Sequence, residues 1–266
     1  MANFIRYSRL ISGRSVTKGA NKPSNPKGTG GSGAIHGGSG GSGALQGMTV
    51  TSPATDFTVT GVGLELGPVT ANVGDMIIVI TGANGGSFIG GGFGAIDEAV
   101  GSTNVWNIRT RTISGIGAEI AVIDCVLTTA LDEATISIVG ATGQWSTGRV
   151  YRIVPSAGSV SHVATGTVAG TTTTAHNAST VSVTDKQIIF GIAAINTDDT
   201  ITLDSDTTNG NWSSETVVLA DGGLDSQSCS LVTQWKIVNA TGNQSWGVTT
   251  VSSRSSARNY LIYQAS

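Results

Sequence analysis

Apolar positions along this chain fall into short runs separated by Gly, Asn, Asp and Ser, and no stretch repeats with the 3.6-residue period of a helix. Phe57 and Val59 alternate with Thr58 and Thr60, which predicts a half-buried strand. Met76–Ile80 is an unbroken apolar run led by Gly74-Asp75 and followed by Asn84-Gly85, which predicts a buried strand between turns. Glu119–Leu127 predicts a second buried strand, Ile136 and Ile138 mark a third, and Val150–Val154 a fourth, ending at Pro155. The order then returns beyond Pro155–Ser159. Asp185 and Ile188–Phe190 echo Asp75 and the run after it, Asn196 echoes Asn84, and Trp212 echoes Trp106. Ser230–Lys236 echoes Ala121–Leu127, and Tyr260–Tyr263 echoes Val150–Ile153. A spacing held near 110 residues through all of these pairs predicts a tandem duplication.

The expected fold is all-β: two tandem β-sandwich domains of jelly-roll type, residues 49–154 and 155–266, preceded by an extended arm, residues 1–48. Thr, Val and Ile favour strands in the body, and the arm differs sharply in composition. Gly28–Gly47 is a Gly/Ser run in which GSGAIHG and GSGALQG recur, placing Ile35 and Leu45 ten residues apart. Such a run is a flexible coil on its own, because glycine loses the most backbone entropy on ordering.

Charge sharpens the division. Charged residues make up only 12% of the chain. Arg6, Arg9, Arg14, Lys18, Lys22 and Lys27 all precede residue 49, and every Asp and Glu follows it. A basic tip on an acidic body is expected to meet an acidic surface, either nucleic acid or an acidic protein shell. The arm is accordingly read as an anchor. Arg6, Arg9 and Arg14 supply charge, and Ile35 and Leu45 fill related pockets on neighbouring subunits. No apolar run reaches the length of a membrane span, and the N-terminus lacks the apolar segment of a secretory signal.

Candidate chemistry is sparse. Cys125 and Cys229 sit in strand-like runs in different halves and read as buried free thiols, as suits assembly in a reducing cytoplasm, with one intramolecular disulfide as the alternative. His36, His162 and His176 have no metal-site spacing and read as surface or turn residues, and neither G-x-S-x-G nor H-E-x-x-H occurs. These features point away from an enzyme, and no cofactor is called for. Asp204, Asp206 and Glu215 are spaced as in half of a calcium loop, but the glycine comes one residue late and no helices flank it. An exposed acidic turn is the simpler reading. Phe88 and Phe93 on a Gly-rich loop, with Trp145 and Trp212 in polar stretches, are the expected exposed contact surface, whereas Trp235 belongs to the core.

The sequence Gly-Asp lead, apolar strand, Trp-containing loop, second apolar strand and final aromatic–aliphatic strand resembles β-sandwich modules of tailed-bacteriophage structural proteins. These include head-decoration, head-fibre and tail-fibre proteins. The resemblance spans Thr49–Ser266 as a pattern and carries no diagnostic motif. It implies a non-enzymatic virion component whose partners are other capsid or tail subunits, most simply a capsid decoration or head-fibre subunit. Closed symmetry suggests a homotrimer. The alternative is a tail fibre or receptor-binding module that recognises a host surface glycan. The chain shows no heptad or β-helical shaft, which favours decoration.

Overall fold

The structure, a computed structural model, describes residues 48–53, 57–59, 64–84, 94–97, 99, 101–114, 117–139, 145–170, 172–224 and 227–266. The first half contributes β1 (Met48–Thr51), β2 (Phe57–Val59), β3 (Leu64–Ala71), β4 (Met76–Asn84), β5 (Gly94–Asp97), β6 (Asn107–Ile113), β7 (Ala118–Val126), β8 (Leu131–Val139) and β9 (Trp145–Pro155). The second contributes β10 (Val160–Ala169), β11 (Thr173–Asn177), β12 (Val181–Val183), β13 (Ile188–Ile195) and β14 (Ile201–Thr202). It continues with β15 (Val218–Ala220), β16 (Cys229–Ile237), β17 (Gly242–Gln244), β18 (Gly247–Arg254) and β19 (Ser256–Ala265). Each strand expected from an apolar run is present, and most extend past the run that announced them.

All strand pairs are antiparallel, and the two halves repeat one strand order. The large sheet of the first half runs β1-β9-β4-β7-β6, with β2 also pairing β9, and that of the second runs β10-β19-β13-β16-β15. The strands around Ile78 and Ile189 are thus the central strands β4 and β13. The smaller sheet of the first half is β3-β8-β5. Its counterpart in the second half comes in two pieces, β11-β18-β14 and β12-β17. If β1, β3 and β4 to β9 are counted as strands one to eight, a jelly roll would have sheets 1-8-3-6 and 2-7-4-5. Here the fifth strand, β6, instead forms a hairpin edge beside β7.

Three apolar clusters separate four layers. Leu66, Val69, Ile136 and Ile138 of the small sheet pack on Ile77, Val79 and Ile123 of the large one. Ile189, Ile195 and Val232 pack beneath Val183, Trp212, Trp246 and Val248 in the second half. Between them, Met76, Ile78, Ile80, Ile120, Val122 and Tyr151 of one large sheet face Ile188, Phe190, Ile192, Leu231, Leu261 and Tyr263 of the other. Edge-to-face contacts of Tyr151 with Phe190 (5.1 Å) and of Phe190 with Tyr263 (6.0 Å) tie the centre of this interface. The two sandwiches therefore stack large sheet against large sheet, and Ala44–Ser266 forms one compact unit. Both faces of each large sheet are covered, which is why β4 and β13 are buried at every position. The usual alternation of an antiparallel strand is lost for that reason.

Polar side chains rim this shared core. On one side Thr112 donates to Asn259 Oδ1 (2.9 Å) and Ser114 shares a hydrogen bond with Ser255 (2.8 Å). Asp124 accepts from Arg109 Nε (2.7 Å) and the Tyr263 hydroxyl (3.0 Å). On the other, Arg149, only 2% exposed, donates to Thr233 Oγ1 (2.9 Å) and the Thr216 carbonyl (2.8 Å) and lies 3.5 Å from Glu215. Tyr151 and Thr233 share a hydrogen bond of 2.6 Å. Buried polar groups cost stability unless they are paired, so these bonds fix the register of one half on the other.

Candidate functional site

The segment Leu203–Val217, between β14 and β15, crosses the outer face of the second half. It is rich in Asp, Ser, Thr, Asn and Gly, whose short side chains bond to nearby backbone and build turns. Asp204 Oδ1 accepts from Asp206 N (2.8 Å), and Asp206 Oδ1 accepts from Thr208 N (3.0 Å) and its hydroxyl (2.7 Å). Those bonds hold Asp206 below the usual carboxylate range. Asn209 takes a positive φ of 57° before Gly210, closing the turn.

Three buried side chains fasten this segment from beneath. Gln234 on β16 donates to the carbonyls of Asp204 (3.1 Å) and Ser213 (3.0 Å). Its oxygen accepts from Asp204 N (3.0 Å) and Trp246 Nε1 (3.0 Å). Two donors and two lone pairs are the full capacity of an amide, so Gln234 is saturated. The Trp246 ring lies over Gly191 of β13. A Cβ at residue 191 would sit 2.2 Å from Trp246 Cδ2, so only glycine admits the indole there. Lys236, with its side chain fully buried, donates to the Thr208 carbonyl (2.8 Å). Its ammonium lies 4.5 Å above the Trp212 ring and 3.9 Å from Asp206. Burial lowers the Lys236 pKa, while Asp206 and Asp204 oppose the shift.

Two hollows open on either side of Leu203–Ser205. The larger, about 460 Å³, is lined by Asn177, Thr180, Thr202, Ser245, Trp246 and Thr249. The smaller, about 300 Å³, is lined by Thr207, Asn211, Trp212, Ser214 and Gln234. The only ionisable groups lining either are Asp204 and Asp206, and no nucleophile–base pair faces them. The geometry suits binding of a polar molecule. Among the described residues no cluster of His, Cys, Asp and Glu is placed to hold a metal ion.

The candidates read from sequence are not brought together. Arg6, Arg9, Arg14, Ile35, His36, Leu45, Phe88 and Phe93 lie outside the described residues. Trp145 is half-buried at the start of β9. Trp212 is not an exposed contact: it is 8% exposed, packed edge-on against Trp246 (6.5 Å) and covered by Lys236. Its polar neighbours bond to one another and to the backbone, leaving the ring to fill the core. Trp235, expected in the core, packs against its rim and donates its indole N–H to Glu215 (3.0 Å). Glu215 is thus engaged by Trp235 and Arg149, away from any shared cation position with Asp204 and Asp206.

His176, read as a surface or turn residue, is fully buried between Ser256 (2.9 Å) and Thr250 (3.0 Å). Burial, with Arg258 nearby, pushes its pKa down to about 4. His162 is half-buried and hydrogen-bonded to Thr165 (2.6 Å). Cys125 and Cys229 are buried free thiols, pushed up to about 11 and about 12 by burial. The sequence reading missed the fastening residues Gln234 and Lys236. Their signal was two long polar side chains at alternate positions, Gln234 and Lys236, in a strand buried at nearly every position.

Comparison of the chain with protein-family models, with curated proteins and with solved structures finds no match.

Proposed function

We propose that this chain is a non-enzymatic structural subunit of a virus particle, a capsid decoration or head-fibre protein held by its N-terminal arm. The observation that carries the reading is the duplicated sandwich stacked on itself. Two halves of one strand order share a central core, and their buried polar side chains are spent on holding the halves and the Leu203–Val217 segment in place. That is the construction of a stiff block. It leads directly, at Met48, into a basic Gly/Ser arm whose charge is opposite to that of the body. The arm anchors by laying Ile35 and Leu45 into neighbouring subunits while Arg6, Arg9 and Arg14 meet acidic groups there. Copies of the block associate as a trimer around a closed axis.

The test is location. Gold-labelled antibodies against residues 48–266, applied to particles purified from a culture producing the chain, should mark capsids at regular sites. Label found only with soluble protein or membranes would refute the assignment.

A further inference from the structure

The outer layers of the two halves diverge. In the first, single strands β3 and β8 pair from Leu64 to Ala71, with register shifts about Val69. In the second, the matching layer is broken between β11 and β12 and again between β17 and β18. The larger hollow lies over that break, where Ala178 N still donates to the Trp246 carbonyl (2.9 Å), with Thr180 and Ser245 on one side and Leu203–Ser205 on the other. The break is an interruption of pairing over residues 178–180 and 245–246 rather than a gap, and the hollow sits over it, against the crossing Leu203–Ser205 segment.

We propose that the break is a binding site for a neutral glycan. Its volume, about 460 Å³, falls in the range of small-ligand sites. Asn177, Thr180, Thr202, Ser205, Ser245 and Thr249 line it and are all exposed, so their hydroxyls and amide face water rather than the core. Asp204 accepts from Asp206 N and Gly247 N (2.9 Å). A carboxylate has about four acceptor positions, so two remain for ligand hydroxyls. Trp246, 2% exposed, underlies the hollow and cannot shift, because Gln234 holds its N–H and Gly191 its face.

Charge selects the ligand. Among the described residues Asp204 is the only ionisable group lining the larger hollow, and the nearby Lys236 is fully buried over the Trp212 ring. No cation is offered to a phosphate, sulfate or carboxylate, and the carboxylate repels them. Neither hollow is lined by an exposed apolar side chain among the described residues, so neither seats a peptide side chain. The ligand that matches is dense in uncharged hydroxyls. The smaller hollow continues the surface past Leu203–Ser205, where the buried indole N–H of Trp212 has no protein partner. The pinned segment is preorganised, so little ordering cost accompanies binding. The site would bind whether or not the chain belongs to a virus particle, so the purified chain tests it independently of attachment.

Biotinylated full-length protein on streptavidin, where multivalency raises a weak affinity, is applied to an array of neutral, sialylated and sulfated glycans. Neutral hexose- or N-acetylhexosamine-terminated glycans should bind, and acidic caps should abolish binding. Titration of the best free monosaccharide should shift backbone amide resonances at 177–180, 202–205 and 245–249. The double variant Ser245→Tyr, Thr249→Tyr alters two exposed positions and fills the hollow, so binding should fall at least tenfold. If its circular dichroism departs from wild type, Ser205→Tyr blocks the same space. The proposal is overturned by an array with no neutral ligand, by a preference for acidic glycans, by resonance shifts confined to other surfaces, or by full binding in the filled variant.

Discussion

His176 and Gly191 show how single residues hold the outer layer of the second half. An unfolded histidine titrates near 6.5, whereas His176 in the fold is held down to about 4, first by burial and then by Arg258. Between these values the unfolded chain binds more protons, so stability falls as pH falls. The contribution is complete above about pH 6.5, and roughly 2 kcal/mol of it is lost between about pH 7.5 and 5. Urea midpoints at the two pH values should drop further for the wild type than for His176→Gln, whose side chain stays neutral; equal drops would contradict this. Gly191→Ala places a methyl 2.2 Å from the Trp246 ring, which Gln234 prevents from sliding away. Overpacking of this kind costs about 1–3 kcal/mol. Thermal unfolding should register that loss together with a change in tryptophan emission, and an unaltered Tm would mean that Trp246 is free to move.

At the scale of strands, the consequential contact is between β9 and β16. Arg149 brings a cation into the seam, and Glu215, Thr216 and Thr233 of the other half receive it. Arg149→Ala leaves these groups without their partner at a largely dry site, and breaking a buried pair in this way costs about 3–5 kcal/mol. Glu215 keeps 24% of its side chain exposed, so water offsets part of the loss and the lower end is expected. Equilibrium unfolding in urea measures it, and a loss under about 1 kcal/mol would mark the network as incidental. Much at this scale was legible in sequence. The runs at Met76–Ile80, Glu119–Leu127 and Ile188–Phe190 announced buried strands, and their spacing announced the repeat. The stacking was also written there, since runs apolar on both faces in an antiparallel fold require a cover on each side, but two separate sandwiches hide that need. Thr110 and Thr112 carry the opposite signal. No apolar run announced β6, yet these two threonines turn into the seam, where Asn259 satisfies them. Trp212 misled for a related reason: Asn211, Ser213 and Ser214 make it look exposed, and only the distant Lys236 and Trp246 show that the ring is inside.

The described residues of 48–266 form a four-layered block, and β1, at the edge of its sheet, begins at Met48. Anchoring must come from the arm if the block is a rigid projection. Burying an aliphatic side chain contributes about 1.5–3 kcal/mol, whereas ordering each residue costs about 1–2 kcal/mol. Ile35 and Leu45 therefore cannot hold the arm alone. On the proposed attachment, backbone bonds made by strand addition to a neighbour and the charges of Arg6, Arg9 and Arg14 would supply the rest. The most direct measurement is the occupancy of purified particles by a chain lacking residues 1–47, set against the full chain. The shortened chain should keep the β-sheet circular dichroism and unfolding midpoint of the full chain while its occupancy falls to background. Unchanged occupancy would place the attachment on the sandwiches and contradict the anchoring role of the arm.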